Sequence, residues 1–163
     1  TTARAVGAHQ SHLGSGPLGN GIACSECHVV PTGSTHSDGI VKLTFGPVAT
    51  PGGVAPQFNG TSCTASYCHG NFAGGVVTNA PQWTRVDGTQ AACGTCHSQQ
   101  PSSGHHGTHR SEGIACSRCH TGYSSTAINP SLHVNGRKDV DPGTGWNATS
   151  RSCANSCHGT ERW

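Results

Sequence analysis

The sequence predicts a mostly irregular coil with few short helices and minimal strand. Two observations lead to this prediction: Leu, Ile, Val and Phe together account for only 22 of 163 residues, and 24 glycines and 9 prolines interrupt nearly every window. Ordinary domains take about 20% or more of their residues from those four apolar types. A chain this poor in them buries too little apolar area to offset the conformational entropy of a glycine-rich backbone. Some other material must form the core.

Few regular elements are predicted along the chain. Segment 40–45 alternates between apolar and polar residues in the manner of a strand and stops at a Gly-Pro pair. Segment 74–77 is a weaker strand candidate. We expect a short helical turn at each of five places where two cysteines are followed at once by a histidine. We predict coil elsewhere, because no stretch has an apolar face of helical length.

Five short motifs indicate what forms the core. In Cys24-Ser25-Glu26-Cys27-His28, two thiols are separated by two residues and followed directly by a histidine. Covalent haem attachment needs this arrangement: each thiol adds to a haem vinyl group, and the histidine binds the iron. The same spacing recurs at 93–97 and 116–120, whereas the motifs at 153–158 and 63–69 have one and two more residues between the thiols. We therefore predict five haem c, wrapped by about 33 residues each.

Disulfides and zinc sites are the alternative explanations for ten cysteines. Neither explains why a histidine follows each of the five pairs, with no cysteine left over. Zinc spacings place the partner ligands a dozen or more residues downstream. The predicted covalent haem ligands are Cys24, Cys27, Cys63, Cys68, Cys93, Cys96, Cys116, Cys119, Cys153 and Cys157. The predicted proximal iron ligands are His28, His69, His97, His120 and His158.

Seven histidines remain after the five proximal ones, and the chain contains no methionine. Histidine–methionine ligation is therefore excluded, and two histidines per iron is the economical expectation. Haems ligated in this way are coordinatively saturated and suit electron transfer rather than substrate binding. The predicted distal ligands are His9, His12, His36, His106, His109 and His133, and His105 is a weaker candidate. Six candidates for five haems mean either that one assignment is wrong or that one ligand serves a haem outside its own chain.

We predict one pentahaem domain over residues 1–163, built from two repeat-like units, 9–70 and 106–159. Both units contain His-x-x-His, then Gly-Ile-Ala-Cys-Ser-x-Cys-His, then a single histidine, then a longer motif that ends in Cys-His-Gly. Residues 71–105 join the units and carry the further haem site at His97. The loop lengths differ, so the order of ligands repeats rather than an exact period.

The remaining composition excludes two classes of partner. The formal net charge is +2, and no cluster of lysine or arginine is interleaved with aromatic residues, so nucleic-acid binding is not indicated. No apolar run approaches the length of a membrane span. Because haem c is attached outside the bacterial inner membrane, we expect a secreted protein, extracellular or at the outer cell surface, with the periplasm as the alternative.

Several motifs together resemble a known family. The mixture of Cys-x-x-Cys-His with a longer Cys-x4-Cys-His, the Tyr67-Cys68-His69-Gly70 stretch, Trp83 and the His-x-x-His pairs look like the multihaem outer-surface cytochromes of metal-reducing bacteria. The chain is similar to those members that polymerise into extracellular filaments, the cytochrome nanowires. The resemblance implies haems stacked in one continuous chain and electron exchange with other redox proteins or extracellular acceptors.

The resulting hypothesis is an electron-transfer protein, not an enzyme, that polymerises head to tail into a conductive extracellular filament. His9 or His12 would ligate the terminal haem of the adjacent subunit, and Trp163 would pack in that junction; such a contact need not close and so propagates. A monomeric periplasmic electron shuttle is the first alternative. A multihaem reductase is the second, but it requires an open coordination position and a substrate pocket.

Overall fold

The computed structural model describes residues 3–33 and 39–163, so His36 lies outside the described residues. Helix α1 spans His9–Leu13 and helix α2 spans His106–Ser111. Short 3-10 helices occur at Cys24–Glu26, Pro51–Gly53, Tyr67–His69, Thr89–Ala91, Cys116–Arg118 and Pro142–Thr144. The predicted coil-rich fold with few short helices is confirmed. No helix within the described ranges is long and apolar enough to cross a membrane.

The strands form two small antiparallel sheets. Strand β1 (Gln57–Phe58) pairs with β2 (Cys63–Thr64). The second sheet contains β3 (Trp146–Asn147), β4 (Ser152–Asn155) and β5 (His158–Arg162), in that order. Strands β4 and β5 contain most of the last Cys–His motif, in place of the helical turn that its spacing predicts. Their small and polar residues show no alternation of apolar and polar side chains, which is why the sequence did not indicate a sheet.

The expected helical turn is present at three of the five motifs. The 3-10 helices at 24–26, 67–69 and 116–118 overlap the motifs that end in His28, His69 and His120. The motif at 93–97 instead lies in irregular turns, and the last motif lies in strands. The expectation is wrong at these two places. At the last motif, antiparallel pairing within the second sheet keeps the backbone extended.

The alternating segment 40–45 is not a strand, contrary to the prediction. Leu43 alone forms a bridge there, opposite His28. Val41 is 72% exposed, so the segment buries no apolar face that would fix the register of a strand. Segment 74–77, in the part of the chain that joins the two units, likewise forms one isolated bridge rather than the strand that its sequence pattern indicated.

The described part of the chain has no polypeptide core of ordinary size. Apart from glycines, its buried residues are Ala8, Glu26, Ala49, Ser66 and Cys153, and no side chain is fully buried. A domain of this length normally buries roughly two thirds of the surface that its unfolded chain exposes. The polypeptide therefore has the form expected of a layer around a core that it does not itself supply.

Candidate haem-binding sites

Five pairs of histidine rings are the central feature of the structure. In each pair, the histidine that closes a Cys–His motif faces a second histidine, with ring centres 6.1 to 6.4 Å apart. We number the sites 1 to 5 in the order of their motifs. The pairs are His28 with His9, His69 with His12, His97 with His133, His120 with His106, and His158 with His109. Each predicted distal histidine within the described ranges belongs to one pair.

The separation of the rings fits two imidazoles on one metal ion. Metal–nitrogen bonds to histidine are about 2 Å, and each nitrogen lies about 1.15 Å from its ring centre, so rings on opposite sides of one ion have centres about 6.3 Å apart. Aromatic contacts in general range over about 4.5 to 7 Å. The five pairs instead lie between 6.1 and 6.4 Å. This donor set fits a haem iron between the two rings of each pair.

Backbone hydrogen bonds orient most of these rings for ligation. In eight of the ten, Nδ1 donates to a backbone carbonyl at 2.6 to 3.0 Å. Such a bond selects the tautomer in which Nε2 carries the free lone pair, and it raises the basicity of that nitrogen. His69 and His109 are the exceptions among the described residues. The chain thus presents Nε2 of most paired rings in the form that binds a metal.

Burial favours the neutral form of the His69 ring at site 2. Its Nδ1 is buried and has no hydrogen-bond partner among the described residues. Burial, with a smaller contribution from the neighbouring His12, lowers the pKa of the His69 imidazole to about 4. The ring is therefore uncharged at neutral pH, which is the form that ligates metal ions.

All ten cysteines are free thiols, so the structure contains no disulfide. Burial, with a smaller effect of the Cys27 thiol, raises the pKa of Cys63 and of Cys68 to about 11. Burial and then Cys153 raise the pKa of Cys119 in the same way. These electrostatic effects act between the thiols of sites 1 and 2 and between those of sites 4 and 5. Within residues 3–33 and 39–163, no group of three or more His, Cys, Asp or Glu forms a metal cluster of the zinc type.

Each α-helix joins two neighbouring sites. Helix α1 carries His9 of site 1 and His12 of site 2, and α2 carries the distal histidines of sites 4 and 5. Residues three apart lie on one face of a helix, so each helix presents two rings to the same side. Helices of five and six residues are far below the roughly 12 to 15 residues that an isolated helix needs, so tertiary packing must hold both of them.

Asn79 and Gly70 join sites 2 and 3. The Asn79 side-chain amide donates to the His69 carbonyl at 2.9 Å and lies 3.6 Å from the Cys96 sulfur. Gly70 packs so closely on the Cys96 carbonyl that a Cβ would overlap the oxygen. The two motifs therefore touch directly. Sequence reasoning missed Asn79, because a single asparagine in a loop carries no pattern that indicates a contact.

The segment that follows His133 joins sites 3 and 4. His133 faces His97, and its Nδ1 donates to the Leu18 carbonyl of the first unit at 2.6 Å. Further along, the Asp139 carbonyl accepts a hydrogen bond from His120 Nδ1 at 2.6 Å. Sites 1 to 5 are thus connected one to the next in the order of their motifs along the chain.

His105 and Trp163 lie beside α2 and outside the five pairs of rings. The Nε2 atom of His105 donates to the Arg162 carbonyl at 2.8 Å, so this nitrogen is not free to bind iron. Trp163, expected in a junction between subunits, packs on α2 of its own chain, with its ring centre 5.0 Å from that of His106. Neither residue belongs to the set of paired ligands.

Residues 62–97, which contain the motifs of sites 2 and 3, match a family model described as the Geobacter CxxxxCH...CXXCH motif. The match indicates a c-type multihaem cytochrome. No curated protein and no solved structure matches the chain. The matched part of the chain includes the longer Cys-x4-Cys-His, the spacing that departs most from the usual haem motif. An electron-transfer protein that carries haem is therefore indicated.

Proposed function

We propose that the cytochrome carries five haem c and transfers electrons along them in the order of sites 1 to 5. The observation that supports this most is the set of five histidine pairs. Each pair includes the histidine that ends a Cys–His motif, and each site is connected to the next. Two histidines per site would occupy both axial positions and leave none for a substrate. This donor set favours electron transfer over the chemistry of a reductase.

The residues of the chain hold and tune these sites. A bound haem supplies an iron that exchanges one electron. Carbonyl groups that accept a hydrogen bond from Nδ1 fix the planes of the paired rings and would make Nε2 a stronger electron-pair donor to a metal. Glu26, a buried carboxylate in the first motif, accepts a hydrogen bond from the Val48 amide at 2.8 Å. A carboxylate at this position would favour the oxidised state of a haem iron held at site 1, whereas the second unit has the exposed Arg118 at the same position of the motif.

We further propose that the cytochrome is a subunit of an extracellular filament, with a monomeric periplasmic shuttle as the alternative. The resemblance to filament-forming surface cytochromes supports this, together with the match to a Geobacter motif. Ligation of a neighbour's haem by His9 or His12 stays a prediction, and both rings have facing partners within the chain. By count, five pairs within the chain would fill every distal position, so His36 would be a sixth histidine for which no haem is open.

Electron microscopy of the native haem-loaded protein tests the filament. We expect uniform thin filaments from the wild type and also from His36→Ala, because five pairs within the chain would supply every distal position and leave no open haem for His36. The matched control is His105→Ala, which should leave the filaments intact. Discrete particles from the wild type would support the monomeric shuttle instead. Filaments that persist in His36→Ala but disappear in His9→Ala would place the contact between subunits at α1.

A further inference from the structure

One tryptophan packs on each helix that carries paired histidines. The ring of Trp83 lies 4.9 and 6.0 Å from the two histidine rings of α1. The ring of Trp163 lies 5.0 and 5.3 Å from the two histidine rings of α2. Each indole therefore contacts both distal ligands that its helix presents, and the arrangement occurs once in each half of the chain.

A glycine makes room for each indole. Gly7 stands two residues before the first histidine of α1, and Gly104 stands at the same offset before α2. At either position, a Cβ would overlap the Nε1 atom of the facing tryptophan. The unit Gly-x-His-x-x-His with an indole on its surface thus occurs twice. The tryptophans come from unrelated loops, so only the structure shows that they are equivalent.

Both indoles are anchored by residues outside their helices. Trp83 Nε1 donates to the Arg4 carbonyl at 2.8 Å, and the Trp83 amide donates to the Thr61 carbonyl, beside β2, at 2.8 Å. The Trp163 amide donates to the Arg151 carbonyl at 2.7 Å, where β5 ends beside β4. Because each indole is anchored by residues outside its helix, it forms a fixed surface on which the imidazoles must pack.

The facing rings are inclined differently in the two halves. The planes of the paired imidazoles make angles of 81° and 63° at sites 1 and 2, but only 13° and 21° at sites 4 and 5. Site 3 has an angle of 57°, and neither of its rings contacts a tryptophan among the described residues. The same order of ligands along the sequence therefore leads to two different arrangements of the rings.

The angle between two axial imidazoles determines the electronic symmetry of low-spin ferric iron. Each ring donates π density into the iron d orbital that is perpendicular to its plane. Two d orbitals of the iron can accept this π density. Parallel rings act on the same one of the two and separate it in energy from the second, which gives a rhombic electron paramagnetic resonance spectrum. Rings near a right angle act on both orbitals equally and give a highly anisotropic signal at low field. The axial ligands thus tune the centre by their orientation as well as by their identity.

We propose that Trp83 and Trp163 are positioning residues that set the planes of the distal histidines. The indoles meet the distal rings at similar angles in the two halves, 83° and 30° against 87° and 48°. The orientation of the proximal rings against these fixed distal planes then gives a wide-angle class at sites 1 and 2 and a narrow-angle class at sites 4 and 5. The inference rests on the proposed function, because it requires an iron between each pair of rings. Its consequence is that the two repeat-like units differ electronically, although they present the same types of ligand.

The electron paramagnetic resonance spectrum of the oxidised full chain tests the division into two classes. We expect a rhombic low-spin signal that integrates to two of the five haems, with the others in broad low-field signals. A haem count from the pyridine haemochrome accompanies the spectrum. A count below five would contradict the proposed function itself. Five haems in a single spectral class would overturn the inference and leave the proposed function standing.

Variants of the two tryptophans test the positioning role, and each serves as the control for the other. Trp163→Leu should abolish most of the rhombic intensity and leave the low-field signals unchanged. Trp83→Leu should shift the low-field signals and leave the rhombic intensity unchanged. Phenylalanine at either position restores a packing ring and should recover most of the wild-type spectrum. If a leucine variant loses haem, the spectrum of the phenylalanine variant is compared with that of the wild type instead. We then expect a smaller spectral change, confined to the two sites that the replaced tryptophan contacts. Unchanged spectra, or the same change from both tryptophans, would overturn the proposal.

Discussion

Replacement of His109 by alanine is expected to convert one haem in five from a six-coordinate low-spin form to a five-coordinate high-spin form that binds carbon monoxide. The His109 ring faces that of His158 at 6.3 Å, so alanine removes one axial ligand and keeps the other. The chain has no methionine that could replace it. The absorbance change when carbon monoxide is added to the reduced protein measures the effect, and about one fifth of the haem should respond.

His105→Ala is the matched control for this substitution. His105 is also a histidine next to α2, but its Nε2 donates to the Arg162 carbonyl and faces no proximal histidine. We therefore expect no response to carbon monoxide from this variant. Equal responses from the two variants, or a response from His105→Ala alone, would show that the ligand at site 5 has been assigned to the wrong residue.

Loss of all five haems is expected to unfold the polypeptide completely. Ordering each residue costs about 1 to 2 kcal/mol of backbone entropy. The described residues bury few side chains, none of them fully, and cannot offset that cost with apolar burial. Replacement of all ten cysteines by serine prevents covalent attachment and keeps the size of each side chain nearly the same. We expect this variant to lose all slowly exchanging amide protons and its defined circular dichroism signal.

The haem-loaded wild type, measured at the same concentration and pH, is the control for that experiment. Its slowly exchanging amides should include those of the second sheet, where Cys153 is the one buried residue of a strand. Protected amides in the serine variant at the wild-type level would contradict the account, because they would show that the polypeptide folds on its own. Such a result would require a core that the structure does not contain among its described residues.

The features set by local covalent chemistry could be predicted from sequence. A histidine such as His97 follows its second thiol directly, as an attached haem would require, because it would fix the distance between the attachment points and the iron. The coil-rich fold could be predicted for a related reason. A chain with so few large apolar residues cannot stabilise long helices or broad sheets, whatever its order of residues.

The pairing of distal with proximal histidines could not be read from spacing, because it depends on tertiary contacts. His133 faces His97 rather than a histidine of its own unit, and the contact depends on a hydrogen bond to Leu18 in the other half of the chain. Helix α1 was also missed, since it has five residues and no apolar face. The alternating segment 40–45 misled in the opposite direction, because strand propensity without a buried face does not make a strand.

An experimental density map of the haem-loaded protein tests the central claim most directly. The account predicts five irons, each lying between the two rings of one pair: His28 and His9, His69 and His12, His97 and His133, His120 and His106, and His158 and His109. All ten rings should belong to one chain. An iron whose distal ligand is a different histidine, or a paired ring that ligates an iron of another chain, would contradict it.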